Sequence, residues 1–250
     1  MKKKRVDLLL VERELVPSRE KAQALILAGK VFVDDSRADK AGKLVCSSSD
    51  LRVTEKDHPY VSRGGVKLEA ALKKFNFSPR DLLAMDIGAS TGGFTHCLVN
   101  HGAQHVFAVD VGYGQLAWEL RRNPCVTSLE RSNIRDLEYE KIGRLVDLVV
   151  IDASFISLKL IFPKVHQFLK PNGHVIALVK PQFEAGKSDV EKRGLVRNKE
   201  VHLRVQNEIT DAAKSEGFQV LEWIDSAIEG KKSGNKEFFV FLQNSSEERK

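Results

Sequence analysis

The run Asp86-Ile87-Gly88-Ala89-Ser90-Thr91-Gly92-Gly93-Phe94-Thr95 concentrates one carboxylate, three glycines and three hydroxyls at the end of an apolar segment. Leu82, Leu83, Met85 and Ile87 read as a short buried strand, and Phe94, Cys97 and Leu98 recur at helical spacing. The glycines therefore fall in a strand-to-helix turn. A turn without β-carbons lets backbone amides approach a bound molecule closely. The spacing departs from the phosphate-binding loop, which ends in Gly-Lys-Ser/Thr, and from a clean dinucleotide fingerprint, and Asp86 would repel a pyrophosphate. A carboxylate there suits a cationic cofactor. S-adenosylmethionine, with a sulfonium, an ammonium and no phosphate, matches the loop better than NAD or ATP, while the competing reading is a plain structural turn.

Three more apolar runs end in polar residues. Residues 106–109 lead into Asp110, about 20 residues after the glycines, where a ribose-binding carboxylate is expected at the end of a neighbouring strand. Residues 145–151 lead into Asp152-Ala153-Ser154-Phe155, and 175–179 lead into Lys180-Pro181-Gln182-Phe183-Glu184. In open α/β sheets ligands sit at the carboxyl ends of the strands, so Asp86, Asp110, Asp152 and Lys180 are expected to converge on one crevice.

The elements that must carry these residues divide by texture. In the amino-terminal part, Val6, Leu9, Leu10 and Leu15 suggest one short helix, and Pro17-Ser18 opens a second whose apolar residues are Ala22, Leu25, Ile26 and Leu27, ended by Gly29. Val31-Phe32-Val33 reads as a strand followed by a polar turn, and 45–53 as a closing hairpin. Asp57 to Gly65, with a proline and paired glycines, reads as a linker. A helix follows in which Leu68, Ala71, Leu72 and Phe75 form the apolar stripe; Lys67 falls off that stripe and is expected at the solvent. Farther on, Asn198 is positioned to cap a helix carrying Val201, Val205, Ile209 and Ala212 that Gly217 ends. Residues 218–224 and 238–242 read as strands joined by a basic loop, 226–237. The resulting domain boundaries are 1–57, a linker 58–64, a catalytic domain 65–244 and a polar tail 245–250.

The chain has 250 residues and a formal net charge of +6, shared evenly between residues 1–57 and the remainder, an excess that hints at a polyanionic partner. Cys46, Cys97 and Cys125 are isolated and lack metal-ligand spacing, which suits free thiols in a reducing cytoplasm, and no metal is expected. The basic start Met1-Lys2-Lys3-Lys4-Arg5 precedes a segment interrupted by Asp7, Glu12, Arg13 and Glu14, so neither a secretory signal nor membrane insertion is expected.

The ordered motifs carry a resemblance. Ser18-Arg19, Ala22 or Ala24, and Gly29-Lys30-Val31-Phe32-Val33 resemble the S-four RNA-binding domain. With Ser62-Arg63-Gly64-Gly65-Val66-Lys67-Leu68, the loop 86–95, Asp110-Val111-Gly112, Asn133-Ile134-Arg135, Asp152-Ala153-Ser154-Phe155, 180–184 and Gly234-Asn235-Lys236-Glu237, the whole chain resembles the TlyA family. Its members are described both as haemolysins and as ribosomal RNA 2′-O-methyltransferases. The resemblance implies a Rossmann-like, mostly parallel α/β methyltransferase domain of the FtsJ type, preceded by a small α+β S-four domain. It implies a catalytic tetrad at Lys67, Asp152, Lys180 and Glu237, with Lys180 as the base. It further implies S-adenosylmethionine held by Asp86, Gly88, Ala89, Ser90, Thr91, Gly92, Gly93 and Phe94 at its methionine part, Asp110 at its ribose, Asn133 and Ile134 at its adenine, and Asp152 near the sulfonium. Arg5, Arg19, Lys21, Lys30 and Arg63 are the candidate RNA contacts. The expected partner is ribosomal RNA or a ribosomal subunit, in the cytoplasm, with no protein partner. A non-catalytic ribosome-binding or assembly factor and a haemolysin are the alternatives.

Overall fold

The computed structural model describes residues 3–53, 58–228 and 234–245, with Lys187 and Arg193 described by their backbone alone. Asp57 of the expected linker, residues 229–233 of the basic loop and residues 246–250 of the tail lie outside the described residues. Cα packing divides the chain into two units, Met1–Pro59 and Tyr60–Lys250. Among the described residues no helix is long and apolar enough to cross a membrane.

In the first unit, β1 (Lys3–Arg5) runs straight into α1 (Val6–Glu12), and Ser18 opens α2 (Arg19–Leu27) by accepting the Lys21 amide on its hydroxyl at 3.2 Å. Next come β2 (Val31–Val33), β3 (Ser36–Arg37), β4 (Leu44–Cys46) and β5 (Leu51–Val53). Asp34 and Asp35, both at positive φ, make the two-residue turn that joins β2 to β3. Val6, Leu9, Leu10, Ala22, Ile26, Val31 and Val33 form a core belonging to this unit. The hairpin expected over 45–53 does not form: β4 pairs antiparallel with β1, and β5 pairs antiparallel with β2. Two adjacent strands of similar composition were each claimed by an earlier strand, a choice made by long-range packing rather than local turn chemistry. Leu15, expected on the first helix, lies beyond the end of α1 and is exposed.

The second unit is built on a sheet of seven strands among the described residues. Its elements are α3 (Arg63–Lys74), β6 (Leu83–Ile87), α4 (Gly93–Asn100), β7 (His105–Val109), α5 (Trp118–Arg121), β8 (Val126–Leu129), β9 (Val146–Ile151), α6 (Phe162–Val165), β10 (Leu169–Val179), α7 (Pro181–Glu184), α8 (Lys199–Ser215), β11 (Phe218–Asp225) and β12 (Phe238–Asn244). The strand order is β11-β12-β10-β9-β6-β7-β8. The run from β10 to β8 is parallel, and β12 and β11 add antiparallel at one edge. Parallel strands are buried on both faces and so read as continuous apolar runs. Leu68, Ala71 and Leu72 of α3, with Phe75 just past its end, pack with Phe94, Cys97 and Leu98 of α4 on one face, while Val201, Val205 and Ile209 of α8 cover the other. The Asn198 side chain accepts the Glu200 amide at 2.9 Å to start α8, and Gly217 follows its end at φ +82°.

The order of β6 between β7 and β9 makes a switch point, where successive connections leave in opposite directions and open a crevice at the strand ends. The turn there is held from below. Gly92 at φ +93° precedes α4 and has no side chain to cap it, and Asp86 does the capping instead. Its Oδ2 accepts the Thr95 amide at 2.9 Å and the Thr95 hydroxyl at 2.6 Å. Asp86 is completely buried, and Oδ1 has no hydrogen-bond partner among the described residues. Burial pushes its carboxyl up to about 7, against the lowering pull of the Thr95 hydrogen bonds. The native carboxyl thus keeps its proton to a higher pH than the unfolded one. The native state binds more protons between about pH 4 and pH 7, and Asp86 costs stability as pH rises through that window. Asp86→Asn removes the titration and keeps the shape. Its melting temperature is expected to gain on wild type by about 3 °C or more between about pH 5 and pH 8, roughly 1 kcal/mol for a chain of this size. Parallel melting curves at the two pH values check it.

Candidate active site

A cleft of about 530 Å³ opens at the switch point, a size within the range of small-molecule sites. Of the expected cofactor residues, Gly88, Ser90, Asp110, Asn133, Ile134 and Asp152 line it. Gly88 sits at φ +84°, and a β-carbon there would lie 2.9 Å from the Asp152 carbonyl oxygen, so this stretch of the floor is backbone. Asp110 ties two loops together: its Oδ2 accepts the Ser90 amide and its Oδ1 the Gly112 amide, both at 2.7 Å. Each oxygen keeps a further lone pair, a donor set that fits the vicinal hydroxyls of a ribose. Asn133 accepts the Arg135 amide at 3.1 Å, which fixes the short turn carrying Ile134 at the cleft.

The other loop residues are placed differently. Asp86, expected at the methionine part of the cofactor, lies beneath the cleft on Thr95, because the strand register turns its carboxylate to the start of α4. Ala89 packs with Ala108, Leu116 and Leu120, and a β-carbon at Gly92 would strike Leu120 and Leu116. The Thr91 carbonyl accepts the Ala117 amide, and the Phe94 ring is buried 6.1 Å from Phe239. Gly93 has no room for a side chain either, since a β-carbon would come within 2.2 Å of Ser62 Oγ and 3.0 Å of the Gly65 nitrogen. Six of the eight loop residues expected at the cofactor therefore shape the fold around the cleft instead of lining it.

Beside the cleft stand two lysine–carboxylate pairs. Lys180, at the end of β10, places Nζ 2.6 Å from Asp152 Oδ1, an ion pair off the hydrogen-bonding angle. The same Nζ donates to the Ala153 carbonyl at 3.1 Å and to Ser154 Oγ at 2.9 Å. Lys67 donates to Glu237 Oε2 at 2.5 Å, with the two side chains only 11% and 4% exposed. The expectation that Lys67 faces solvent is corrected. Its position off the apolar stripe of α3 is real, but β12 arrives from 170 residues away with a carboxylate to receive it. The pairs adjoin through the first turn of α3, where a β-carbon on Gly64 would lie 3.7 Å from Asp152 Oδ2. That turn begins at Arg63, inside the stretch expected to be a linker.

Several contributors had no clear signal in the sequence. Asn235 is buried and bridges the chain, its Oδ1 accepting the Val196 amide at 2.9 Å and its Nδ2 donating to the Gly194 carbonyl at 2.7 Å, which fixes the approach to Glu237. Phe155, at φ +65° and 89% exposed, stands at the cleft mouth with its ring 4.9 Å from that of Phe183. Ser154 belongs to the Asp152–Phe155 motif, and its hydroxyl accepts from Lys180 Nζ, a contact that spacing alone does not indicate. In the first unit, Arg5 and Arg19 both bond to the buried Asp7, while Lys21 is exposed on α2. Lys30 follows Gly29, and Arg63 belongs to the second unit.

Known proteins resemble this chain over nearly its whole length. Residues 60–244 match the model of the FtsJ-like methyltransferases, and residues 4–51 match that of the S4 domain. YqxC of Bacillus subtilis, an rRNA methyltransferase by name, is 46% identical over 244 residues, covering 96% of this chain and 86% of that protein. The 16S/23S rRNA (cytidine-2′-O)-methyltransferase TlyA of Mycobacterium tuberculosis is 43% identical over 240 residues, covering 96% of this chain and 89% of its own. A solved structure of a Streptococcus thermophilus protein that carries a hemolysin name superposes with a TM-score of 0.76 at 42% identity, covering 98% of this chain and 90% of that one. With both domains matched in order and nearly the full length shared, this chain belongs to the FtsJ-like methyltransferase family, in the branch of TlyA and YqxC that carries an S4 domain ahead of the catalytic one.

Proposed function

We propose that the protein is an S-adenosylmethionine-dependent methyltransferase that modifies a ribose 2′-hydroxyl of ribosomal RNA in the cytoplasm, with the S4 domain docking on structured RNA. The observation that carries this reading is the Lys180–Asp152 pair, 2.6 Å apart, whose carboxylate lines the same cleft as Asp110. A vestigial binding module has no use for a buried lysine held on Asp152, Ala153 and Ser154, three residues of the cleft lining.

The cofactor supplies an electrophilic methyl group on a sulfonium. Asp110 would hold its ribose hydroxyls, the Gly88 backbone would allow its close approach, Asn133 and Ile134 would border its adenine, and Asp152 would bring negative charge toward the sulfonium. The transfer is an in-line displacement, so the protein must hold the 2′-oxygen and the methyl carbon within roughly 3–3.5 Å and aligned. As the carbon–oxygen bond formed and the carbon–sulfur bond broke with its electron pair left on sulfur, the hydroxyl proton would pass to Lys180 Nζ, acting as base in its unprotonated form. Glu237 holds Lys67 at the α3 side, where its ammonium orients the ribose. Phe155 presents an aromatic face beside the base lysine, suited to stacking on a nucleobase.

Lys180→Ala is expected to lower methyl transfer to purified, unmodified ribosomal subunits by at least about a thousandfold while cofactor and subunit binding stay within about twofold, within the range of general-base losses. Incorporation of label from S-adenosylmethionine, with the labelled ribose mapped, checks it. Turnover within tenfold of wild type removes Lys180 from the base role. Asp110→Ala is expected to weaken S-adenosylmethionine binding by roughly tenfold to a hundredfold, the loss of one or two charged hydrogen bonds, with subunit binding unchanged. Calorimetry with each ligand separates a lost contact from a misfolded chain, which would lose both.

A further inference from the structure

We propose that Asp7 is a positioning residue that fixes Arg5 and Arg19 as a paired guanidinium grip for one backbone phosphate of the RNA, a reading that rests on the RNA-docking role proposed for the S4 domain. Asp7 lies in the first turn of α1 and is completely buried. Its Oδ1 accepts from Arg5 Nε at 2.9 Å and from the Leu8 amide at 3.0 Å. Its Oδ2 accepts from Arg5 Nη2 at 2.8 Å, Arg19 Nε at 3.0 Å and Gln23 Nε2 at 3.1 Å. Five donors saturate the carboxylate, and none of its lone pairs is left for another group. The arrangement holds both arginines by their inner edges.

The outer edges are available. The Arg5 and Arg19 side chains are 40% and 48% exposed, and among the described residues no other partner takes Arg5 Nη1 or the two Nη atoms of Arg19. One carboxylate neutralises one guanidinium, so the cluster carries a surplus positive charge at a solvent-facing site. A contact built for stability alone needs a single arginine, and the second is poorly placed for it. Arg19 occupies the first position of α2, where the helix dipole disfavours a cation. Chemistry that uses the surplus is an anion with several acceptor oxygens, and planar guanidinium forks match phosphate oxygens bidentately. Side chains already immobilised on Asp7 lose little further freedom when they close on it.

The test uses the full-length chain, unmodified ribosomal subunits as substrate and a series of salt concentrations. Asp7→Asn keeps the volume but cannot accept five donors. It is expected to raise KM for subunits about tenfold and to flatten the dependence of log KM on log salt by about 0.7 to 0.9, the loss of one phosphate contact. Its affinity for S-adenosylmethionine should equal that of wild type. Arg19→Lys keeps the charge and loses the fork; a similar rise in KM is expected, and it decides the matter if Asp7→Asn melts below the assay temperature. A wild-type KM and salt slope in folded Asp7→Asn, or in Arg19→Lys, overturns the inference and leaves Asp7 a purely structural anchor. A fall in kcat at unchanged KM overturns it as well. A wild-type chain that neither binds nor methylates subunits overturns the RNA-docking reading, and this inference with it.

Discussion

The catalytic unit depends on two helices meeting at glycines, with only the Ser62 hydroxyl between them. Gly93 at the start of α4 faces Ser62, Gly64 and Gly65 at the start of α3 so closely that a β-carbon would overlap them, and Gly65 itself lies against the buried ring of Tyr60. This approach sets where the first turn of α3 lies, and that turn borders Asp152 and carries Lys67 one step on. Packed interiors shift little to absorb an extra methyl group. The geometry of the lysine–carboxylate pairs is therefore inherited from a backbone contact that contains no charged atom. Asp86 adds to the same junction from below by capping α4, and the two donors of Thr95 offset only part of its desolvation.

Around this junction the charges sort by burial. Lys67–Glu237 and Lys180–Asp152 are largely removed from water, where an ion pair repays its desolvation only with close geometry and further hydrogen bonds. Lys180 donates such bonds to the Ala153 carbonyl and Ser154 Oγ. Pairs such as Arg52–Asp35 and Lys236–Asp225 lie at the surface and contribute little to stability. The buried pairs are accordingly better explained by what they hold in place than by stability. Asp7 in the first unit follows the same logic on an independent core: its neighbours hold the carboxyl well below the usual carboxylate range, with the Arg5 hydrogen bonds foremost, so it stays charged throughout the physiological range.

Much of this was legible in the sequence because it is local. The apolar stripe of α3, the strands ending at Asp110, Asp152 and Lys180, and the Asn198 cap of α8 each follow from spacing within a few residues. The succession of apolar runs separated by helical patterns indicated a mostly parallel sheet, and polar residues at consecutive strand ends indicated a crevice there. The ordered motifs pointed to the family across the entire chain.

Tertiary structure alone decided which of those residues share a wall of the cleft. The glycine-rich run looked uniform as sequence, yet Gly88 and Ser90 line the cleft while Ala89, Gly92, Gly93 and Phe94 pack inward. Lys67 looked like a surface lysine until Glu237 met it, and the segments at 44–46 and 51–53 looked like one hairpin until β1 and β2 claimed them separately. The division has a physical reason. Backbone propensity and side-chain periodicity act over one or two turns and are written in adjacent residues. Burial, strand partnership and ion pairing are decided between segments far apart in the chain, by which surfaces exclude water together.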